Sequence, residues 1–418
     1  MLNRRALLKA GGAALAGSAA WHFFFRTERA HGRSRLKQDP ERLVDLHPRL
    51  SYRVIDRAFQ PMNDGHRVAA QPDGMACFEA RDGAWVLMRN HELDRAAALG
   101  AYRGSVPKEA YDAAAFGCVS RVVLEPKSLK RRTSNLVLTG TLRNCSGGTS
   151  PWGWLSCEES TDARHGYVFL CPVDANRLLP ARRVDAYGRF NHEGVCIDPV
   201  THIAYLTEDR YDGCLYRFVP ERKDQPFYGK LQAMKRRGVD RYSVSGSLGG
   251  DRAVDVEWLD VAAENSDDDS LRHDAQNRGA LVVSRGEGIF FHDGAVYVAS
   301  TDGGKAGAGQ ILKLVSRSNG PDRLELLTES PGTGVLEAPD NIVVAPWGAV
   351  FMAEDGSGDQ YLRALKSDGT LVDIARNARS SGEFAGVCLS PDASTLFVNL
   401  QRDGITLAIR GPLQEITA

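Results

Sequence analysis

No CxxC pair occurs among the eight cysteines of this 418-residue chain, which leaves neither a zinc ribbon nor a dense disulfide scaffold. Net charge is lacking too: Lys plus Arg number 52 against 53 Asp plus Glu, so no broad basic field exists to hold nucleic acid or an anionic membrane. No apolar run is long and pure enough for a stable membrane span. Neither a Gly-x-x-x-x-Gly-Lys loop nor a Ser-His-Asp arrangement offers itself. With 43% hydrophobic and 25% charged residues, the composition excludes a disordered or fibrous chain. Glycine is abundant at 42 residues, which points to many turns, and function must lie in a local site.

The N-terminal stretch reads as an address. Asn3-Arg4-Arg5-Ala6-Leu7-Leu8-Lys9 precedes a small-residue apolar stretch over residues 13–21 and resembles a twin-arginine export signal. We therefore expect residues 1–34 to be a signal segment read by the twin-arginine translocase, with the protein delivered to the periplasm or secreted. Residues 35–418 are expected to form a single catalytic domain acting as a monomer. That export route carries folded proteins, often with a cofactor already loaded, a first hint of a metal.

Six units recur along the remainder. A short β-rich strand ends in polar or acidic residues at Trp85-Val86-Leu87-Met88, Trp154-Leu155-Ser156-Cys157, Ala204-Tyr205-Leu206-Thr207, Val296-Tyr297-Val298-Ala299, Val350-Phe351-Met352-Ala353 and Leu396-Phe397-Val398-Asn399. A leading strand precedes it across a turn, as in Glu193-Gly194-Val195-Cys196-Ile197 before Asp198-Pro199. Hairpins repeated at this spacing predict an all-β fold, a six-bladed β-propeller with loop insertions. The charged stretch 260–278, with Asp267-Asp268-Asp269, reads as a solvated insertion.

The first residue of each leading strand is the informative position: Asp73, Cys145, Glu193, Glu287, Asp340 and Glu383 in chain order. Leading strands of a propeller line its central channel, so the sequence predicts five carboxylates and one thiol facing one another at one mouth. Glu158 and Glu159, with Asp209 and Asp355, end strands nearby. Such a ring requires cations or raised pKa values; carboxylates suit hard ions such as calcium, and a lone thiolate calls for a softer transition metal. Cys145 lies in Cys145-Ser146-Gly147-Gly148, expected as a flexible loop, whereas Cys77, Cys118, Cys171, Cys196, Cys214 and Cys388 read as small core hydrophobes. His192 is either a ligand or a hydrogen-bonding neighbour of one. Arg285, two residues before Glu287, either grips a phosphate with its planar fork or forms a salt bridge inside the ring.

Taken together, Cys145-Ser146-Gly147-Gly148-Thr149-Ser150-Pro151-Trp152-Gly153, Cys157-Glu158-Glu159, His192-Glu193, Arg285-Gly286-Glu287-Gly288, Pro339-Asp340-Asn341, Glu354-Asp355-Gly356 and Glu383-Phe384-Ala385-Gly386 resemble the PhoX family of bacterial alkaline phosphatases. The resemblance implies a propeller carrying an iron and calcium cluster that hydrolyses phosphate monoesters. Carried over by motif, it implies Cys145 as an iron ligand, Glu158, Glu159, Glu193, Glu287, Asp340 and Glu383 as carboxylate ligands, and Arg285 as the substrate-binding residue. The segment between Gly153 and Glu158 is one residue shorter than in the usual family form. Two alternative functions are a calcium-dependent propeller lactonase or esterase, and a non-catalytic propeller whose blades calcium locks together.

Overall fold

Short apolar runs separated by Gly, Asp and Pro turns fold here as antiparallel meanders, because each strand is too short to bury itself and pairs with its sequence neighbour. The computed structural model describes residues 36–246, 248, 251–261 and 265–418; the twin-arginine segment lies outside them. Strands β1 (Val44–Leu46) and β2 (Ser51–Arg57) come first. One four-stranded sheet follows, formed by β3 (Pro72–Glu79), β4 (Trp85–His91), β5 (Gly117–Leu124) and β6 (Arg131–Thr141). A second contains β7 (Asn144–Ser150), β8 (Gly153–Glu158), β9 (Val168–Cys171) and β10 (Arg183–Val184).

The next two meanders are joined. β11 (His192–Ile197), β12 (Ala204–Glu208), β13 (Leu215–Pro220) and β14 (Gly229–Arg236) run into β15 (Ala253–Asp260), which pairs on its other side with the last strand of β16 (Gly286–His292), β17 (Ala295–Ser300), β18 (Gln310–Val315) and β19 (Asp322–Glu329). The result is one nine-stranded sheet. Four sheets and this double one replace six separate units, because an inserted strand between two outer edges gives both a hydrogen-bonding partner. The fifth meander, β20 (Pro339–Val344) to β23 (Leu371–Asn377) through β21 (Val350–Glu354) and β22 (Tyr361–Leu365), takes β1 at its edge. The last, β24 (Phe384–Leu389), β25 (Thr395–Leu400) and β26 (Ile405–Arg410), is completed by β2, with Ser51 opposite Arg410. The fold is all-β and propeller-like, closed by its own N-terminal strands.

The six leading strands β3, β7, β11, β16, β20 and β24 pack against one another in a closed circle. Close approach explains the acid-glycine pairs seen in the sequence: a Cβ on Gly288 would stand 2.5 Å from the Asp340 carbonyl, and one on Gly74 2.5 Å from the Ser146 Cα. Apolar side chains lie between the sheets. Leu155, Val168 and Leu170 of the second sheet meet Leu206, Tyr216 and Phe218 of the nine-stranded one, and Phe384, Leu396 and Leu407 meet Phe351 and Leu362. Burying each such side chain contributes roughly 1.5–3 kcal/mol.

Stretch 260–278 is not the solvated loop expected. It carries α1 (Leu271–Asn277), whose Leu271 and Ala275 join the core beside Tyr216, and buried Arg272 ion-pairs with Asp212 (2.8 Å) and Asp269 (2.8 Å). The chain ends in a short α2 (Leu413–Thr417). No helix among the described residues is long and apolar enough to cross a membrane.

Candidate active site

One hydrogen bond recurs in all six meanders. Just past each second strand, an N–H donates to the carbonyl two residues before the channel-lining position: Glu92 to Gln71 (2.9 Å), Glu159 to Arg143 (2.9 Å), Asp209 to Asn191 (3.2 Å), Thr301 to Arg285 (3.1 Å), Asp355 to Ala338 (2.9 Å) and Gln401 to Glu383 (3.3 Å). In β3, β7, β11, β16 and β20 the leading strand then pairs once, turns its next residue toward the axis and slips register, as between His192 and Val195 or Gly286 and Ile289. These bulges aim the site residues. Gln71, Arg143, Arg285 and Ala338 adopt left-handed φ values of 43–49°, a conformation rare for residues with a Cβ and concentrated at functional sites.

The site thus has two tiers. The lower consists of Asp73, Cys145, Glu193, Glu287 and Asp340, one per leading strand from β3 to β20. Above it stand Glu92, Glu159, Asp209 and Asp355 from the second-strand ends. Oxygens of Glu193, Glu287 and Asp340 lie within 4.8 Å of one another, a spacing at which ionised pairs repel by about 3 kcal/mol each at an effective dielectric near 20. With Glu383, nine carboxyl groups face two guanidinium groups, Arg143 and Arg285.

The electrostatics follow. Burial, then neighbouring acids, raises Asp73, Glu193, Glu287 and Glu383 well above the usual carboxylate range. Burial and Asp355 push Asp340 up to about 8, and burial raises Glu159 to about 7 against the pull of Arg143. For Arg285, burial opposes the charge, but Glu287 and Asp209 outweigh it and hold the guanidinium protonated. Its Nε donates to Asp209 Oδ1 (3.0 Å) and its Nη2 to Asp209 Oδ2 (3.3 Å) and Glu287 Oε1 (2.8 Å). Arg143 bonds Glu92 Oε1 (3.1 Å) and Glu159 Oε2. Gln401 Nε2 bridges Asp73 and Glu92 at 3.0 Å each, and Asn191 donates to Glu159 (3.0 Å).

Several sequence expectations shift in position. Cys145 is in strand β7 rather than a loop, is buried, and packs with Leu155 and Val195; its Sγ still lies beside the acids, 3.3 Å from the His192 carbonyl. Glu383 is two residues upstream of the lower tier. Phe384 pairs with Leu400 as Pro72 pairs with His91, so Ala385 matches Asp73 while Glu383 matches Arg285. Glu158 faces away from the axis, opposite to Glu159, as consecutive strand residues do. Both its oxygens are taken: Oε1 by Leu142 N–H (2.8 Å) and His165 Nδ1 (2.7 Å), Oε2 by Gly166 (2.9 Å) and Tyr167 N–H (3.3 Å). That removes it from the ligand set. His192 also points outward; its ring stacks on Phe190, its Nε2 reaches Gly188 O (3.0 Å), and burial lowers its pKa to about 3. Cys77 is only half-buried, whereas the other cysteines assigned to the core are buried.

Sequence reasoning passed over Glu92, Arg143 and Gln401. The spacing that singled out Arg285, two residues before the lower tier, applied to Cys145 points to Arg143.

The donor set fits cations. Nine buried or half-buried carboxyls and a thiol, against two guanidiniums, stay in such a place only if protonated or met by positive charge. No curated protein matches the chain. Among solved structures, Pseudomonas fluorescens PhoX in complex with vanadate, a transition state analogue, is 17% identical, with a TM-score of 0.69 over 88% of this chain and 96% of that one; it shares the fold. A protein of unknown function from Bacteroides thetaiotaomicron (10% identity, 86% and 76% covered, TM-score 0.47) and the β-propeller domain of Cps50 (Swd1) from Myceliophteria thermophila (10%, 86% and 99%, 0.43) are more distant. The family model described as alkaline phosphatase PhoX matches residues 32–404. The chain therefore belongs to the PhoX family of alkaline phosphatases and is a phosphatase.

Proposed function

We propose that the protein hydrolyses phosphate monoesters at an iron and calcium cluster held in the channel mouth. The carrying observation is the convergence of oxygens of buried Glu193 and Glu287 and half-buried Asp340 within 4.8 Å. Those three, with Cys145, Glu159 and Glu383, would hold the ions. Bound ions would neutralise the buried carboxylates and the charge on the phosphoryl oxygens. The thiol, now raised by burial and by Glu193, would ionise only beside such a cation.

Arg285 binds and orients the phosphoryl group. Asp209 grips one edge of its guanidinium and the Arg285 carbonyl accepts from Thr301, so the fork is held before substrate arrives. The ion pairs with Asp209 and Glu287 are compatible with that role: Nη1 donates to no group among the described residues. The circle of six leading strands and the sixfold recurrence of one hydrogen bond support reading the nine-stranded sheet as two blades zipped by β15, hence six blades. Export through the twin-arginine translocase to the periplasm or beyond completes the reading, on the N-terminal motif.

The test is phosphate release from a chromogenic phosphate ester by protein from its native host, alongside a chromogenic lactone, with elemental analysis. Arg285→Ala should keep its metals and lose an order of magnitude or more in rate, with Arg285→Lys recovering part. Full metal content with unchanged turnover and unchanged phosphate inhibition in Arg285→Ala removes this residue from the site. Metal-free protein working at full rate removes the cluster.

A further inference from the structure

The mouth is lopsided. Arg143 and Arg285 over the site, with Arg210 beside it, come from three consecutive meanders on one side, while the opposite arc carries Asp355 and Glu383. Each arc has its own cavity. On the acidic side, about 410 Å³ is lined by Asp355, Gly356, Glu383, Gln401 and Arg402 among others. On the other, about 300 Å³ is lined by Arg95, Arg143, Thr161, Asn191 and Arg210, and opens onto Glu159 of the site.

We infer that the cavity beside Arg143 is the leaving-group subsite and that it favours phosphate monoesters whose leaving group carries a second anion, a carboxylate or another phosphate. The inference rests on the phosphatase reading. Three acids line this cavity, and each accepts at least one hydrogen bond. Glu159 takes Arg143 and Asn191; Asp162 Oδ2 takes Arg95 (3.2 Å); Asp94 Oδ1 takes the Ala96 N–H (2.8 Å). Toward the reacting end donors are left over: Nη1 of Arg143 and Nη1 of Arg210 bond no group among the described residues. Among the described residues the Arg210 side chain otherwise makes only long contacts, to Asp269 (3.4 Å) and Thr161 Oγ1 (3.5 Å).

The wall is built rather than floppy. Arg189, 2% exposed, donates to the carbonyls of Thr161 (2.6 Å) and Asp162 (2.9 Å) and to those of Ser266 (2.9 Å) and Asp268 (3.2 Å). This fixes the cavity wall to the inserted segment. Arg210 also ties the cavity to the reacting end, since its carbonyl accepts from the Arg285 N–H (2.8 Å). An ester gripped at its phosphate by Arg285 thus finds unsatisfied guanidinium donors toward Arg143 and Arg210, and carboxylates toward Asp355 and Glu383.

Phenyl phosphate and its 3-carboxy and 4-carboxy derivatives test this, with phosphate release measured at low ionic strength on metal-loaded protein. The wild type should prefer the better carboxylated ester by about tenfold in kcat/KM, the scale of one charge-assisted contact, and the preference should shrink with added salt. Arg210→Ala should lose most of the preference, and Arg402→Ala, across the mouth, should keep it. Arg210→Gln, which retains a donor for Thr161, serves if the alanine variant folds poorly. A wild type without preference, or a preference that survives both Arg210 variants, overturns the subsite alone. Release from none of the three esters takes the phosphatase reading down with it.

Discussion

The two ends of the channel are made by the same strands and share almost no chemistry. At one end β3, β11, β16 and β20 present Asp73, Glu193, Glu287 and Asp340; a few residues on, they present Met75, Ile197, Ile289 and Val344 to a cavity of about 400 Å³. The change falls at the bulge, where register slips and glycine lets neighbouring strands touch. Carboxyls crowd the first end at an electrostatic cost, while the second is lined mainly by apolar side chains. Stability and chemistry therefore occupy separate tiers of one element, and substitutions at the two ends should act differently.

The largest separation should come from Glu287→Gln against Ile289→Ala, two residues apart. On the proposed reading Glu287→Gln removes a charged ligand, and it should strip metal and lower phosphate release by about two orders of magnitude or more. Ile289→Ala should cost about 2–4 kcal/mol in urea unfolding and keep its metal per folded molecule. If Ile289→Ala loses metal to the same extent, the two ends are not independent.

Cysteines sharpen the same contrast. Cys145→Ser should lose iron and at least tenfold in rate, because a hydroxyl is a harder and far less acidic ligand. Cys388→Ser, at the apolar end, should cost about 1 kcal/mol and leave iron in place. Equal iron in both variants makes Cys145 a core residue only.

Stability against pH isolates the acidic end. Carboxyls raised in the folded state, to about 8 for Asp340 and about 7 for Glu159, support folding while protonated and lose that support as pH rises through those values. Each costs up to roughly 1.4 kcal/mol per pH unit over the interval between its unfolded and folded pKa. Chelation should therefore lower Tm little at pH 5 and by many degrees at pH 9. Buried His91 and His192, both lowered to about 3, act in the opposite sense. They withdraw stability as pH falls below about 6.5, with or without metal, so the difference between chelated and loaded protein cancels them. A chelation effect independent of pH means the metals do not neutralise this cluster.

The smallest effect concerns adjacent residues. Glu158→Gln should cost about 1–3 kcal/mol, since a buried network of four donors loses its charged acceptor, with metal content unchanged. Loss of metal there would return Glu158 to the ligand set.

Glu158 and Glu159 also show how far the sequence could be read. That the doublet belonged to the site was legible; which member faced the axis depended on strand phase, since adjacent side chains point to opposite faces. The same division holds at Glu208-Asp209 and Glu354-Asp355. Glu208 takes the Cys214 N–H (3.0 Å) and the Tyr216 hydroxyl (2.9 Å), and Glu354 takes the Glu337 N–H (2.9 Å) and Arg363 (2.6 Å). Glu383 was found for the right reason, an acid before a leading strand, but placed one tier too low: β24 enters in the register of β3, and its acid lies two residues earlier, where β3 has Gln71.

The sequence by itself determined the meanders, the acids at their starts and the family, because strand period, turn residues and motif order are local properties of the chain. Only the tertiary structure decided which carboxyls meet, that β15 zips two meanders into one sheet, and that Arg143 stands over the site with Arg285. Those facts depend on register and on the closing of the circle, where residues hundreds of positions apart, such as Asp73 and Gln401, come within a hydrogen bond of each other.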